Sequence, residues 1–307
     1  MITVFGSINL DIVMPVDSLP RLGETVLGER YMMMPGGKGA NQACAVARAG
    51  SQVAMFGQVG RDSFADEALR LMQEKGVDLN GVGRGQTPTG CATIWVDSSG
   101  ENAIVVASGA NMDLKAEQVP DEALTPDHIL LLQMEVNQQE NWKLVERAKK
   151  NGCRVMLNVA PAGHVPEEVL AHLDYLLVNE VEGQQIARSV DLEEAVPTKL
   201  PRLLHSRYGM TCILTLGGAG SLCFGPEGGW SVPSLPITPV DSTGAGDAFA
   251  GTLAANMDQG TDIEEALRRA TVAAGICCTS KGSQNTIPPA SKVDEQLGDL
   301  PAVRKLA

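Results

Sequence analysis

The stretch PVDSTGAGDAFAGTLAANM, residues 239–257, places two glycines and an aspartate directly ahead of an apolar helical pattern. Thr243-Gly244-Ala245-Gly246 reads as a turn, and Phe249, Leu253, Ala254 and Met257 then recur on one helical face. A helix starting here aims its unpaired N–H groups, and the positive end of its dipole, at whatever faces the turn. Glycines let a bulky anion approach that backbone, so the turn suits the charge on a phosphoryl group in transfer. Asp247 stands where it can take a proton from an attacking hydroxyl, the general-base task of such a transfer. The competing account is plainer: an aspartate at a helix start commonly just caps it.

Two further clusters carry polar groups suited to a small hydroxylated ligand. In Pro35-Gly36-Gly37-Lys38-Gly39-Ala40-Asn41-Gln42-Ala43, glycines adjoin a polar trio, Lys38, Asn41 and Gln42, ahead of an Ala-rich helix. The cluster is either a hinge beside a binding site or an ordinary turn and helix start. Gly6-Ser7-Ile8-Asn9-Leu10-Asp11 lies at the carboxyl end of the first expected strand. In an extended chain Asn9 and Asp11 point to one side, and an amide beside a carboxylate suits sugar hydroxyls. A plain Asx turn is the alternative.

Other chemistries are excluded. The only Gly-Lys, Gly37-Lys38, is followed by Gly39, so no G-x-x-x-x-G-K-[ST] loop exists, and neither G-x-G-x-x-G after a strand nor a protein-kinase motif set occurs. The formal net charge of −13 opposes an extended nucleic-acid or anionic-membrane surface, yet leaves room for a small anion held by backbone amides. Seven scattered cysteines without a C-x-x-C pair, and four dispersed histidines, give no zinc spacing and read as buried thiols in a reducing compartment. No apolar run approaches about 18 residues, and the opening Met-Ile-Thr-Val-Phe-Gly reads as a strand, so a soluble cytoplasmic protein is expected.

These residues need elements to position them. Strand patterns at 2–8, 52–59, 128–133, 154–159, 175–179 and 212–216 alternate with helical patterns at 39–49, 62–75, 138–151, 181–188 and 198–208. Such alternation predicts a mostly parallel sheet with helices on both faces and ligands beyond the strands' carboxyl ends. Two stretches, 12–35 and 82–108, instead carry short strand patterns (25–27, 31–34, 91–96, 103–107) without intervening helices. Hairpins inserted there can pair into one small sheet, a lid whose exposed apolar face invites a partner chain.

Taken together, Gly-Gly-x-Gly-x-Asn early and Asp-[Ser/Thr]-x-Gly-Ala-Gly-Asp late resemble the two signatures of the PfkB carbohydrate kinase family. Gly-Glu-Thr-Val at 23–26, Gly-Ala-Asn at 109–111, Leu-Leu-Gln-Met-Glu at 131–135, Asn-Glu-Val-Glu at 179–182 and Leu-Thr-Leu-Gly at 214–217 extend the resemblance over essentially the whole chain. It implies a single ribokinase-like α/β domain over 1–307, three-layered with a β-sheet lid. It also implies an ATP-dependent kinase acting on the hydroxymethyl oxygen of a pentose such as D-ribose. Deoxyribose, fructose or a nucleoside are alternative acceptors, and a non-catalytic sugar- or nucleotide-binding regulator is a further alternative. By resemblance, Asp247 is the catalytic base, and Gly244, Ala245 and Gly246 form the anion hole. Asn9, Asp11, Gly37, Lys38, Asn41 and Glu135 match sugar contacts, and Asn179, Thr215, Gly217 and Gly220 match nucleotide contacts. Glu182 matches a residue that organises Mg²⁺ through water. Asp241 and Thr243, with Ser280, Gly282 and Thr286, match a K⁺ site, although Cys277-Cys278-Thr279-Ser280-Lys281-Gly282 departs from the usual pattern there. Ser242 replaces the more frequent threonine and keeps the hydroxyl. Apart from the resemblance, the inserted strands predict a homodimer through the lid, and the net charge predicts neither nucleic-acid nor membrane partners.

Overall fold

A computed structural model describes residues 1–99, 101–192 and 196–306. The chain begins β1 (Ile2–Phe5), β2 (Asn9–Pro15), β3 (Met32–Gly36), α1 (Lys38–Arg48), β4 (Val53–Val59), α2 (Ser63–Glu74) and β5 (Asp78–Arg84). It continues with β6 (Gly90–Val96), β7 (Asn102–Ala107), β8 (Ile129–Leu132), α3 (Gln138–Asn151), β9 (Arg154–Asn158), α4 (Glu167–Leu170) and β10 (Tyr175–Asn179). The remainder is α5 (Glu180–Ser189), α6 (Leu200–Tyr208), β11 (Thr211–Thr215), β12 (Ser221–Gly225), β13 (Gly228–Val232), α7 (Ala245–Asp258), α8 (Ile263–Cys277), α9 (Ala290–Gln296) and β14 (Arg304–Leu306).

Ten strands form the central sheet in the order β14-β13-β12-β11-β10-β9-β8-β1-β4-β5. Pairing is parallel from β5 to β11 and antiparallel from β11 to β14. The central strands are apolar on both faces because both are covered. Ile129 and Leu131 enter the core shared with α1, α7 and α8, while Leu130 and Leu132 enter the opposite core shared with α3 and α6. From β1 the chain proceeds outward to β4 and β5 on one side, and later to β8 through β11 on the other. The crevice beyond the carboxyl ends of β1 and β8 is therefore the topological switch point, where such sheets bind ligands. No helix among the described residues is long and apolar enough to cross a membrane.

A second sheet, β3-β2-β6-β7, stands apart as a lid. Its make-up differs from expectation at both ends. The first strand stops at Phe5, and Asn9 and Asp11 lie on lid strand β2. Residues 25–27 form no strand, whereas Val82–Arg84 belong to β5 of the central sheet, paired with β4. Leu27 is among the most exposed apolar side chains, which explains why its β-branched surroundings gain no strand from packing. The antiparallel extension β12–β14 and helices α8 and α9 complete the fold.

Candidate active site

Helix α7 starts at Ala245, one turn earlier than a helix capped by Asp247 would. Gly244 is the cap, in the left-handed region at φ 76°, with no side chain bonding the helix end. Asp247 sits in the first turn and does not cap: Asn41 Nδ2 donates to its Oδ2 and Gln42 Nε2 to its Oδ1, each at 2.9 Å. The amides of Gly246 and Asp247 make no backbone hydrogen bond among the described residues. α7 is buried almost all round rather than on one face, wedged between α1 and α8. The close approach to α1 depends on Gly251, where a Cβ would lie 2.5 Å from Ala45 Cβ and from Gln42 O. That contact brings Asn41 and Gln42 to Asp247.

The glycines around α1 have packing reasons. A Cβ on Gly36 would strike the Asp11 carboxylate, and one on Gly39 would lie 2.7 Å from the backbone of Gly6 and Ser7. Gly37 lies at φ 88° against Ser7 O and Asn9 N. The start of α1 is thus pressed onto the β1–β2 connection, with Ala40 N donating to Ser7 O at 2.9 Å. Ser7 Oγ (2.6 Å) and Lys38 N (3.0 Å) both donate to Glu135 Oε2, which fixes the carboxylate that follows β8.

On the lid side, Asn111 Nδ2 donates to Asn9 Oδ1 at 2.7 Å, and the Asn9 amide nitrogen has no hydrogen bond among the described residues. Asn9, Asn111, Glu135, Val106, Met134 and Pro161 line a cavity of about 540 Å³. Asp11 has a buried Oδ1 with no partner. Burial, with Glu135 nearby, pushes its carboxyl up to about 7, against the opposing pull of Lys38. Asn41 likewise keeps an unpartnered buried Oδ1.

A second chamber of about 330 Å³ lies between Lys38, Asn179, Glu182, Gly244, Gly246 and Asp247. It shares Thr215, Ser242, Gly246 and Phe249 with an adjoining, mostly apolar slot of about 500 Å³, walled by Pro236, Ile237, Ala274 and Cys278 and bordered by Gly217 and Gly220. Burial opposes the charge of Lys38, but Asp247, Glu135, Glu182 and Asp11 outweigh it and raise the amine above its ordinary range. A lysine among carboxylates beside free helix amides, between a polar cavity and an apolar slot, suits phosphoryl transfer from a nucleotide to a polar acceptor.

The sequence profile described as pfkB family carbohydrate kinase matches residues 1–290. The chain belongs to the PfkB carbohydrate kinase family. A ribokinase of Lactococcus lactis is 33% identical over 302 residues, covering 97% of each chain. Among solved structures, a ribokinase from Thermotoga maritima superposes with a TM-score of 0.90 at 33% identity, covering 97% of this chain and 99% of that one. Arabidopsis thaliana ribokinase complexed with ribose and ATP gives a TM-score of 0.86 at 30% identity, over 96% and 98% of the two chains. The kinase shares with them the mostly parallel sheet and the separate lid.

Within this PfkB kinase, beyond the expected residues already placed at the lid-side cavity and the apolar slot, the others fall into three groups. Asp247, Lys38, Gly244, Gly246 and Glu182 meet at the small chamber, with Ala245 opening α7 beside it. Asn179 and Glu182 form a capping box on α5, with Glu182 N to Asn179 Oδ1 at 2.9 Å and Asn179 N to Glu182 Oε2 at 2.8 Å. This pair offers a hydrated divalent cation one buried carboxylate rather than a cage. No group of three or more His, Cys, Asp or Glu able to hold a metal occurs among the described residues, and Mg²⁺ keeps several waters readily. The third group is a loop pair. Asp241 Oδ1 accepts from Thr243 N and Oγ1 at 2.9 and 2.7 Å, and Asp241 Oδ2 accepts from Gly282 N at 3.0 Å. Thr286 Oγ1 bonds to Ser283 O at 2.8 Å, and Ser280 is exposed on the same loop.

Gln42, expected among ligand-bonding groups, is fully buried and spends its amide on Asp247 and Gln133. Ser7, Asn111 and Gln133 escaped the sequence reading as site residues. Their signal was a polar residue just beyond an apolar parallel strand (Ser7, Gln133), or in a short turn facing one (Asn111).

Proposed function

We propose that this kinase transfers the γ-phosphoryl of ATP to the hydroxymethyl oxygen of D-ribose, giving ribose 5-phosphate. The observation that carries the reading is Asp247: a buried carboxylate, 6% exposed, gripped by two amides beside the free N–H groups of α7. Asp247 is the base that takes the hydroxyl proton as the oxygen attacks phosphorus in line. The amides at Gly244 and Gly246, with the Lys38 ammonium, meet the charge on the transferring group, while Ala245, whose N–H donates to Ser242 O at 3.2 Å, shapes the anion hole between them. Asn9 and Asp11 on the lid, with Gly37, Asn41 and Glu135 on the body, hold the ring hydroxyls. The apolar slot beside Thr215, Gly217 and Gly220 takes the nucleobase, and Asn179 orders the phosphates. Mg²⁺, bound with the nucleotide and reached by Glu182 through water, supplies charge neutralisation of the phosphates. Oxygen donors of Asp241, Thr243, Ser280, Gly282 and Thr286 give a monovalent cation such as K⁺ a place beside the anion hole; the Gly282 N to Asp241 Oδ2 bond, which joins the two loops, supports this.

The lid supports a homodimer. Edge strand β7 is exposed nearly throughout, with Ile104, Val105 and Val106 bare, which is a hazard for a lone chain. Seven free cysteines support a cytoplasmic location. A coupled assay with ATP, Mg²⁺ and a panel of ribose, 2-deoxyribose, fructose and nucleosides, with and without K⁺, tests the reading. The highest kcat/KM is expected for ribose, and a higher value for a nucleoside or fructose would overturn the assignment.

A further inference from the structure

The grip on Asp247 is the end of a longer buried chain of amides. Gln42 Nε2 donates to Asp247 Oδ1 at 2.9 Å, and Gln42 Oε1 accepts from Gln133 Nε2 at 2.7 Å. The backbone carbonyl of Gln133 accepts from Asn141 Nδ2 at 2.6 Å. Gln42, Gln133 and Asn141 are all fully buried. An ionised carboxylate can only accept, so Gln42 must turn its nitrogen to Asp247 and its oxygen to Gln133. Gln133 must then turn its own nitrogen to Gln42. The consequence is visible: Gln133 Oε1 is buried with no hydrogen-bond partner among the described residues. Leaving a buried acceptor unpaired is costly, whereas an apolar side chain of similar shape leaves no such atom. Stability alone does not favour this arrangement.

We infer that Gln42 and Gln133 form a one-way amide relay that positions Asp247 as an acceptor, with Gln133 acting through Gln42 as a positioning residue. The inference rests on the reading of Asp247 as the base. With one amide N–H on each oxygen, rotation of the carboxylate breaks two hydrogen bonds at once, so its remaining lone pairs stay aimed at the chamber. A proton on Oδ1 would face the Gln42 N–H, and relieving that conflict requires both glutamines to flip. The other charged or titratable groups facing Asp247 are Lys38 on α1, Glu135 beyond β8, Glu182 on α5 and Cys277 on α8. Glu135, the nearest of them in sequence to Gln133, has its carboxylate held by Ser7 Oγ and Lys38 N.

The test compares kcat–pH profiles of Gln133→Met, which ends the relay, and Gln133→Glu, which sets an acceptor against Gln42 Oε1. Asp247→Asn is run alongside, and ribose binding by calorimetry and thermal melts verify folding. For Gln133→Met, kcat is expected to fall about tenfold and the acid limb to move up by about one pH unit, with ribose Kd within about twofold. Gln133→Glu fills the same volume and is expected to move the limb further. Acid limbs at the wild-type position in both folded variants would overturn the relay while leaving the base intact. Near-wild-type turnover in Asp247→Asn would overturn the base instead. A limb moved in either folded variant, with Asp247→Asn inactive, sustains the relay.

Discussion

Asp247 and Asp11 are both carboxylates held against burial, and the site uses them differently. Burial pushes Asp247 above the ordinary carboxylate range, and Lys38, Asn41 and Gln42 pull it back. A base works only when unprotonated, so kcat should fall as pH drops through that raised value. Asp247→Asn keeps the size and loses the acceptor. Turnover is expected to drop about 10²–10⁴-fold with ribose Kd nearly unchanged, measured by coupled assay and calorimetry. Asp11, pushed up to about 7, gains no partner for its buried Oδ1. A raised carboxyl means the folded state binds more protons than the unfolded one, so stability declines as pH rises from about 4 to 7. Asp11→Asn removes that penalty: the Tm of the ligand-free protein should rise by about 3 °C at pH 8, with the gain vanishing below pH 4. The same variant should weaken ribose binding, and an unchanged ribose KM would reject the contact.

At the scale of elements, the α1–α7 contact sets the geometry around Asp247. Gly251→Ala forces Ala45 and Gln42 away, at a cost of about 1–3 kcal/mol of overpacking, and moves the amides off Asp247. It should lower both Tm and kcat. Gly246→Ala is the contrasting case, since its Cβ meets no protein atom but enters the space of both chambers. Its Tm should be close to wild type while kcat/KM for ATP falls at least about tenfold, read by melts and initial rates. The buried parallel strands and their helices were legible in the sequence because continuous apolar runs and capped amphipathic segments report directly on burial. Residues 9–11 were not legible as lid, because an extended strand looks the same whichever sheet pairs with it. The base was legible only as a choice between cap and catalyst. What removes the cap reading is Gly244 in the cap position, and the two amides from α1 that hold Asp247 instead lie 206 and 205 residues away in sequence.

For the whole molecule, the lid's bare edge and its exposed Met33 and Val105 predict association. Light scattering should give about twice the 32.3 kDa chain mass, and Val105→Asp should shift the protein toward monomer with a raised ribose KM. A monomer at micromolar concentration would reject the lid-to-lid dimer. The position of β1 has a consequence for synthesis. The first strand made is central in the sheet, and its neighbours are residues 53–56 and 129–132. At roughly 5–20 residues per second, β1 waits several seconds on the ribosome with one edge open, and the helix bearing Asp247 emerges later still. A nascent chain therefore holds Asn9, Asp11 and a naked apolar strand long before it holds Asp247. The stage most in need of chaperones is the first half of translation, well before the kinase can turn over anything.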